Sequence, residues 1–426
     1  MRSTAWRQRQ FSYYTVVMPV AVAIGITVAQ ALLWYLAVMT ARRVVLRHAG
    51  WWTVLAYPVA WTAVDTVMSA VLPDGNWGNI GYSQYAFLPA MQIAALFGTG
   101  GVTFVISLVA SALALWLAFG AQPARTRHAG VAALLVTACA LGYGAWRLQQ
   151  PVAGTDTVFG LVAVDDAIGL HATPAYAEPI WRNYEQQVAT LAGQGATIIV
   201  LPEKVAVLSP AAAAQVQQRF AALAARLQVW IAIGVGVDDG GRRTNLAWLL
   251  SPQGAPARSY QKHHLAPPER DYSPGSDYLV HSVDRSMVGV AICKDMHFAS
   301  FGRAYGRRQV GLMLVPAWDF QADRFIASGM TTLRGVENGY TVVRSARDGL
   351  LTVTDPYGRI VAQRDSAAMP GSALLVRTQV PAPVATLYTR IGDLAGWLCV
   401  ALMLAGTLWL ARRPRAVTPG APVAVR

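Results

Sequence analysis

Three short segments carry the side chains suited to covalent chemistry: Leu201-Pro202-Glu203, Tyr260-Gln261-Lys262-His263-His264-Leu265 and Ala291-Ile292-Cys293-Lys294-Asp295. Each stands at or just beyond a predicted strand end, where α/β folds usually place their sites. A carboxylate, an ammonium and a thiol make a nucleophilic site. Glu203 takes the thiol proton, the sulfur of Cys293 attacks a carbonyl carbon, and the compact charge of Lys262 stabilises the oxyanion. That chemistry uses no metal and no other cofactor. A plainer reading stands beside it, since a cysteine ending an apolar strand is most often a small buried hydrophobe. A lone Glu after a strand usually caps or is solvated, and a lone Lys is usually on the surface. Composition bears on the choice. Of 35 basic residues only Lys204, Lys262 and Lys294 are lysines, and all three lie at or next to these segments. Arginine's planar fork does not replace a point charge with a shiftable pKa.

The elements that must position these residues lie at about 155–380. Apolar runs at Val158–Val164, Thr197–Leu201, Val229–Val235, Met287–Ile292, Val310–Val315, Tyr340–Arg344 and Leu350–Thr354 alternate with helical stretches at Glu178–Ala192, Ala211–Gln228 and Phe320–Asn338. The alternation predicts an α/β domain of sheets covered by helices. With Cys139, Cys293 and Cys399 as its only cysteines, the chain has no disulfide framework and no cysteine metal site.

Around this domain the chain is apolar: 54% of all residues are hydrophobic and 13% charged. Stretches 15–39, 50–72, 101–120, 129–146 and 391–411 each approach the ~20 apolar residues needed to cross a bilayer core. Tyr85–Phe97 is shorter and runs into Gly98, Gly100 and Gly101, as a re-entrant or interfacial piece would. The net charge of +13 resides mostly in the apolar ends, seven in residues 1–150 and four in 389–426, and hardly in the middle. Charge flanking membrane spans explains this better than a nucleic-acid footprint, so no nucleic-acid partner is expected. Arg125 and Arg127 before one span, and Arg412, Arg413 and Arg415 after the last, place both clusters in the cytoplasm and residues 147–390 outside. Arg2, Arg7 and Arg9 conflict with Arg42, Arg43 and Arg47 across the first span: one cluster breaks the rule, or that segment is a hairpin.

In this order the three segments resemble the Glu-Lys-Cys triad of the nitrilase (carbon–nitrogen hydrolase) superfamily. More closely, the chain resembles the apolipoprotein N-acyltransferase family. The residues that carry this are Tyr260–Leu265, Ala317-Trp318, Leu333–Gly339 and Asp355–Arg359, and, before the domain, Gly81–Gln84, Gln92-Ile93-Ala94 and Gly101–Phe104. The resemblance implies a four-layer α-β-β-α sandwich fused to an α-helical transmembrane region with one C-terminal transmembrane helix. The corresponding boundaries are a multi-span region at 1–147, a catalytic domain at 155–380, a last span at 391–411 and a basic cytoplasmic tail at 412–426. It also implies Cys293 as nucleophile, Glu203 as base, Lys262 at the oxyanion, Glu269 and Asp295 as auxiliary acids, and no cofactor. The implied reaction moves a fatty acyl group from a phospholipid, through a Cys thioester, to the N-terminal amine of a diacylglyceryl lipoprotein. Its implied place is the bacterial inner membrane, with the catalytic domain facing the periplasm.

The chain departs from the family pattern at Lys294, where an aromatic residue usually follows the nucleophile, and at Glu269, which comes one position early. Val315-Pro316 replaces an Asn-Asp pair, and the membrane part is short. Among weaker candidates, Asp65 is a carboxylate within an apolar span and Trp318 stands ready to wall an acyl pocket, each with a packing role as its equal; His263 adjoins the Lys and could shape the pocket, but packing behind it is the better reading. His297, four residues after Cys293, is not placed as a Cys-His dyad. Cys139 and Cys399 are expected to face lipid or pack helices. The alternatives to acyl transfer are a membrane-tethered amidase and a non-catalytic lipoprotein-binding homologue.

Overall fold

A computed structural model describes residues 18–412 other than 165, 255 and 370. The cationic residues at 2, 7, 9, 413 and 415, and the tail beyond 412, lie outside the described residues. Among the described residues, four helices are long and apolar enough to cross a membrane. They are α1 (Val20–Arg47), α2 (Ala56–Val71, entered through a 3-10 turn at Trp51–Leu55), α3 (Ala94–Phe119) and α4 (Pro123–Leu148). Because α1 runs unbroken for 28 residues, a hairpin is excluded for its described part. The late apolar helix differs from expectation: its stretch Leu394–Trp409 is shorter than the four, so the count of one C-terminal span is not carried by length.

The basic residues fall into one pattern once the helices are packed. Buried Arg125, at the start of α4, donates to Val45 O (2.9 Å) at the end of α1 and to Thr53 Oγ1 (3.0 Å). His48, just past α1, stacks on Trp409 at 4.8 Å. Arg42, Arg43, Arg47, Arg125 and Arg127 therefore belong to one end of the bundle. Tyr85–Phe97 forms a short turn of helix at Leu88–Met91 and then the first turn of α3. Gly98 kinks α3 at φ +65°, and a Cβ there would lie 2.5 Å from the Tyr388 ring, so both shape and conformation require glycine.

From Thr155 to Val380 the chain builds two sheets. In chain order the first contains β1 (Thr155–Ala163), β2 (Ile198–Val200), β3 (Val207–Leu208), β4 (Trp230–Asp238), β5 (Arg243–Leu250) and β6 (Arg258–Gln261). The second contains β7 (Leu279–Val283), β8 (Ser286–Val290), β9 (Leu312–Trp318), β10 (Thr341–Arg347), β11 (Leu350–Thr354) and β12 (Ile360–Asp365). The last strand, β13 (Ser372–Val380), returns to pair antiparallel with β1, giving orders β13-β1-β2-β4-β5-β6, with β3 on β4, and β12-β11-β10-β9-β8-β7. Strand residues alternate between two cores. Phe159, Leu161, Ile198 and Val200 face the second sheet, whereas Val158, Val162, Ile199 and Leu201 face helices α5 (Pro174–Gly193) and α6 (Pro210–Leu227). Strands buried on both faces read as continuous apolar runs, which is why they were legible. Thr173 and Ser209 cap α5 and α6, each just before a proline at the first helical position. Helices α7 (Ala299–Arg307) and α8 (Arg324–Asn338) form the fourth layer, and a further helix, α9 (Leu394–Arg412), follows the domain. The expected start of α8 at Phe320 is late by four residues because Asp323 turns back to accept from the Phe320 N–H (2.9 Å).

Four of the sequence motifs outside the three segments, Gly81–Gln84, Gln92-Ile93-Ala94, Leu333–Gly339 and Asp355–Arg359, supply residues to the joint between bundle and domain. Arg334 Nη2 donates to Tyr82 Oη and Thr99 Oγ1 (both 2.9 Å), and Thr99 donates through N and Oγ1 to Glu337 Oε1 (3.0 and 2.9 Å). Gln92 Nε2 donates to Tyr357 O (2.8 Å). All are buried, so these bonds are made across the joint rather than to water.

Candidate active site

Glu203 follows β2, and its N–H donates to Ala317 O (3.2 Å) in β9, so the two sheets meet at this loop. Across from it is Gly234 of β4, where a Cβ would lie 2.6 Å from Glu203 Cα and Pro202 O. Lys262 lies one residue past β6, with its N–H bonded to Asn245 O (2.9 Å) in β5. Cys293 ends the β8 run at φ +40°, a backbone region sparsely used by L-residues, and opens a 3-10 turn at Cys293–His297. Such a conformation costs of order 1–3 kcal/mol and persists where surrounding bonds over-determine it.

Asp295 supplies those bonds. Its fully buried carboxylate accepts from the backbone N–H groups of Ile292 (3.1 Å), His263 (3.1 Å) and His264 (2.8 Å) and from the Tyr260 hydroxyl (2.7 Å). One side chain thus ties the turn of Cys293 to the segment of Lys262. Burial, reinforced by Asp295, pushes the Tyr260 hydroxyl well above the ordinary tyrosine range, so it remains a donor.

The three predicted residues converge on one cleft of about 90 Å³, which Glu269, Lys204, Lys294, Trp318 and Asp323 also line. Lys262, 1% exposed, bonds Glu203 Oε1 (2.7 Å) and Glu269 Oε2 (2.8 Å). Lys204 bonds Glu269 Oε1 (2.5 Å). Burial alone would strip the proton from Lys262, but Glu203 and Glu269 outweigh it and hold the ammonium well above the usual lysine range. Burial works against the Glu269 carboxylate too, and Lys262 with Lys204 overcomes it, holding that group well below its usual range. The Cys293 thiol is pushed far up by burial and then by the charge of Glu203, with Lys262 pulling the other way. Its Sγ rests 3.6 Å from Trp318 O, as a neutral thiol donating to a carbonyl.

Other predicted residues are placed differently. Trp318 walls the cleft, its ring covered by the Arg347 guanidinium at 3.8 Å and its Nε1 bonded to Asp348 Oδ2 (3.0 Å). His263 is not a pocket residue: its ring nitrogen sits 3.0 Å from Asp277 O, outside the cleft lining. Asp65 also does not reach the cleft; it lines a neighbouring cavity of about 430 Å³ between bundle and domain. Buried His297 borders both spaces. Phe97 and Gly100 are shared by that cavity and an apolar groove of about 660 Å³ among α2, α3, α4 and α9. Lys294 ion-pairs with Asp74 of the loop after α2 and donates to Leu265 O (2.6 Å). Cys399 is buried and Cys139 exposed on α4.

Sequence reasoning missed Asn245, whose Nδ2 donates to Glu203 Oε1 and Glu269 Oε1, both at 2.6 Å. Its signal was an amide opening the apolar run Leu246–Leu250. It also missed the buried Arg344–Asp319 pair behind Cys293, Nη1 to Oδ2 at 2.9 Å.

Two family models match the chain, one described as the apolipoprotein N-acyltransferase N-terminal domain over residues 3–113 and one as carbon-nitrogen hydrolase over residues 167–369. The chain is an apolipoprotein N-acyltransferase-like member of the carbon–nitrogen hydrolase, or nitrilase, superfamily. Among curated relatives, an apolipoprotein N-acyltransferase of Geobacter metallireducens is 26% identical over 381 residues, 82% of this chain and 72% of the relative. One of Bradyrhizobium diazoefficiens is 24% identical over 86% of this chain and 76% of its own. A deaminated glutathione amidase of Synechocystis is 26% identical but aligns with only 49% of this chain, while 89% of the amidase is covered.

Proposed function

We propose that the protein is a membrane N-acyltransferase that moves a fatty acyl group from a phospholipid, by way of a thioester on Cys293, to the N-terminal amine of a diacylglyceryl lipoprotein. The observation that carries this reading is the sequence of adjoining spaces: the cleft of Cys293 shares His297 with the interfacial cavity, which shares Phe97 and Gly100 with the apolar groove of the bundle. A soluble amide needs no such connection to helix surfaces facing lipid. The match of residues 3–113 to the apolipoprotein N-acyltransferase N-terminal domain points the same way.

Each residue then has a step. Glu203 Oε1 is occupied by Lys262 and Asn245, while Oε2 takes no hydrogen bond from any described residue and receives the Cys293 proton. The sulfur adds to the ester carbonyl. Lys262 has three N–H groups, two of them used by Glu203 and Glu269, and the third faces the developing oxyanion. Collapse breaks the ester C–O bond, and Glu203 returns its proton to the leaving lysophospholipid. The acceptor amine next adds to the thioester carbon and passes its proton to Glu203. Expulsion of the sulfur forms the amide, and the proton restores the thiol. Glu269 keeps Lys262 charged and in place, and Lys204 helps to hold Glu269 ionised. The basic end of the bundle is assigned to the cytoplasm, α9 to a membrane crossing and the catalytic domain to the periplasm of a bacterial inner membrane, following the arginine distribution.

Intact-protein mass spectrometry of the detergent-purified chain incubated with phospholipid tests this. The expected result is a hydroxylamine-sensitive gain of one acyl group, lost in Cys293→Ala. No adduct on a protein whose Cys293 still reacts with a thiol reagent overturns it.

A further inference from the structure

The cavity between bundle and domain is not used by the steps above, yet its lining has a definite chemistry. Among the described residues its lining contains two carboxylates, Asp65 from α2 and Asp393 just before α9, and no lysine or arginine. The adjoining catalytic cleft contains all three lysines of the chain. There the lysines stand among the carboxylates of Glu203, Glu269 and Asp323, whereas the two carboxylates of the interfacial cavity have no basic side chain beside them in the described lining.

Two further groups point to what the acidic side holds. Asn76 Nδ2 donates to Asp65 Oδ1 (3.0 Å) and Asp65 O (3.3 Å), which leaves Asn76 Oδ1 as a buried acceptor with no partner among the described residues. His297 is 5% exposed, rests edge-on against Trp77 at 4.5 Å, and neither of its ring nitrogens has a described partner. Buried polar atoms without partners are uncommon and cost stability until something bonds to them. Here they lie in the wall of a space large enough for a small group.

We propose that this cavity is a recognition site for a primary ammonium group. An ammonium brings three N–H donors and one positive charge. The charge is matched by Asp65 and Asp393, and the donors by Asn76 Oδ1, the acceptor nitrogen of His297 and a carboxylate oxygen. A phosphate would meet two negative charges, and a quaternary ammonium would bring charge without donors. The proposal rests on the acyltransferase reading for the source of the group: the head of an aminophospholipid donor, or the free α-amine of the acceptor.

The test measures binding rather than turnover, with full-length Cys293→Ala protein in detergent. Two ligand pairs are compared: short-chain phosphatidylethanolamine against its N-acetylated form, and a diacylglyceryl-cysteinyl peptide against its N-acetylated form. The expected result is a preference of about ten-fold for the free amine in one pair, abolished by Asp65→Asn and by Asp393→Asn while affinity for the acetylated ligand is kept. Preference in the lipid pair assigns the site to the donor head, and in the peptide pair to the acceptor amine. Equal affinity within both pairs overturns the proposal, as does a preference that survives both substitutions. Asn76→Ala removes an acceptor and no charge, so it serves if either variant loses its fold; an unchanged preference there also overturns the site. Absence of the acyl adduct in wild-type protein sinks the acyltransferase reading and leaves this binding result standing.

Discussion

At Asn245 a single amide holds two carboxylates that would otherwise repel across Lys262. A hydrogen bond to a charged group contributes about 1.5–3 kcal/mol. Asn245→Ala is therefore expected to lower the denaturation midpoint and slow thioester formation about ten-fold or more, and Asn245→Asp, which adds a third carboxylate, to be worse; stopped-time mass spectrometry reads both. Lys262→Arg keeps a charge but replaces the point donor by a fork, and a loss on the order of 100-fold is expected. Asp323 gives a pH prediction. Burial, then the nearby Asp319, pushes its carboxyl up to about 7, so the folded protein holds this proton where the unfolded chain has lost it. Its contribution to stability must fall as pH rises from near 4 toward 7. Asp323→Asn is expected to flatten that slope in denaturation midpoints measured across this range, and an unaltered slope would remove Asp323 from the account. Glu203 and Cys293 were legible because each follows an apolar run, and Lys262 because lysine is scarce in the chain and Tyr260–Leu265 carries the family resemblance. Asn245 was not, nor the bonds of Asp295, because both depend on strand ends that meet only across the fold.

Elements buried on both faces were read from their apolar runs, while β5, β6, β7, β12 and β13 were not. Strand β12 has exposed residues along its length and β5 begins with Arg243 and Thr244, so neither carries a continuous apolar signal. They are strands because a neighbour supplies a ladder: β5 pairs with β4 over eight residues, and β12 with β11. That pairing also places Gly234 under the Glu203 loop. Gly234→Ala puts a Cβ 2.6 Å from backbone atoms on the other side. It is expected to cost about 1–3 kcal/mol and to reduce acylation more than Cys293 labelling by a small thiol reagent. Equal losses of both would mean general unfolding rather than a displaced carboxylate.

Across the whole molecule, Arg42, Arg43 and Arg47 join Arg125 and Arg127 at one end because α1 passes through the bundle once and delivers Val45 to Arg125. A cysteine placed at Gly240 or Gly241, on the turn after β4, is expected to react with a membrane-impermeant thiol reagent only from the periplasmic side. Reaction from the cytoplasm would reverse the proposed orientation. The pairing of β1 with β13 bears on how the protein is made. Thr155 lies opposite Val380, so the first sheet gains its outer strand only when the last strand of the domain has been delivered, after both β8 and β9. Chains emerge from the ribosome amino end first. The thiol of a growing chain therefore waits, already synthesised, in a domain whose first sheet is still open, and α9 begins at Leu394, one short connection after the closing strand ends at Val380. Completion of the domain and arrival of the last apolar helix become one event in biosynthesis, so a chain cut short before residue 372 would carry all three predicted residues and no closed fold to hold them.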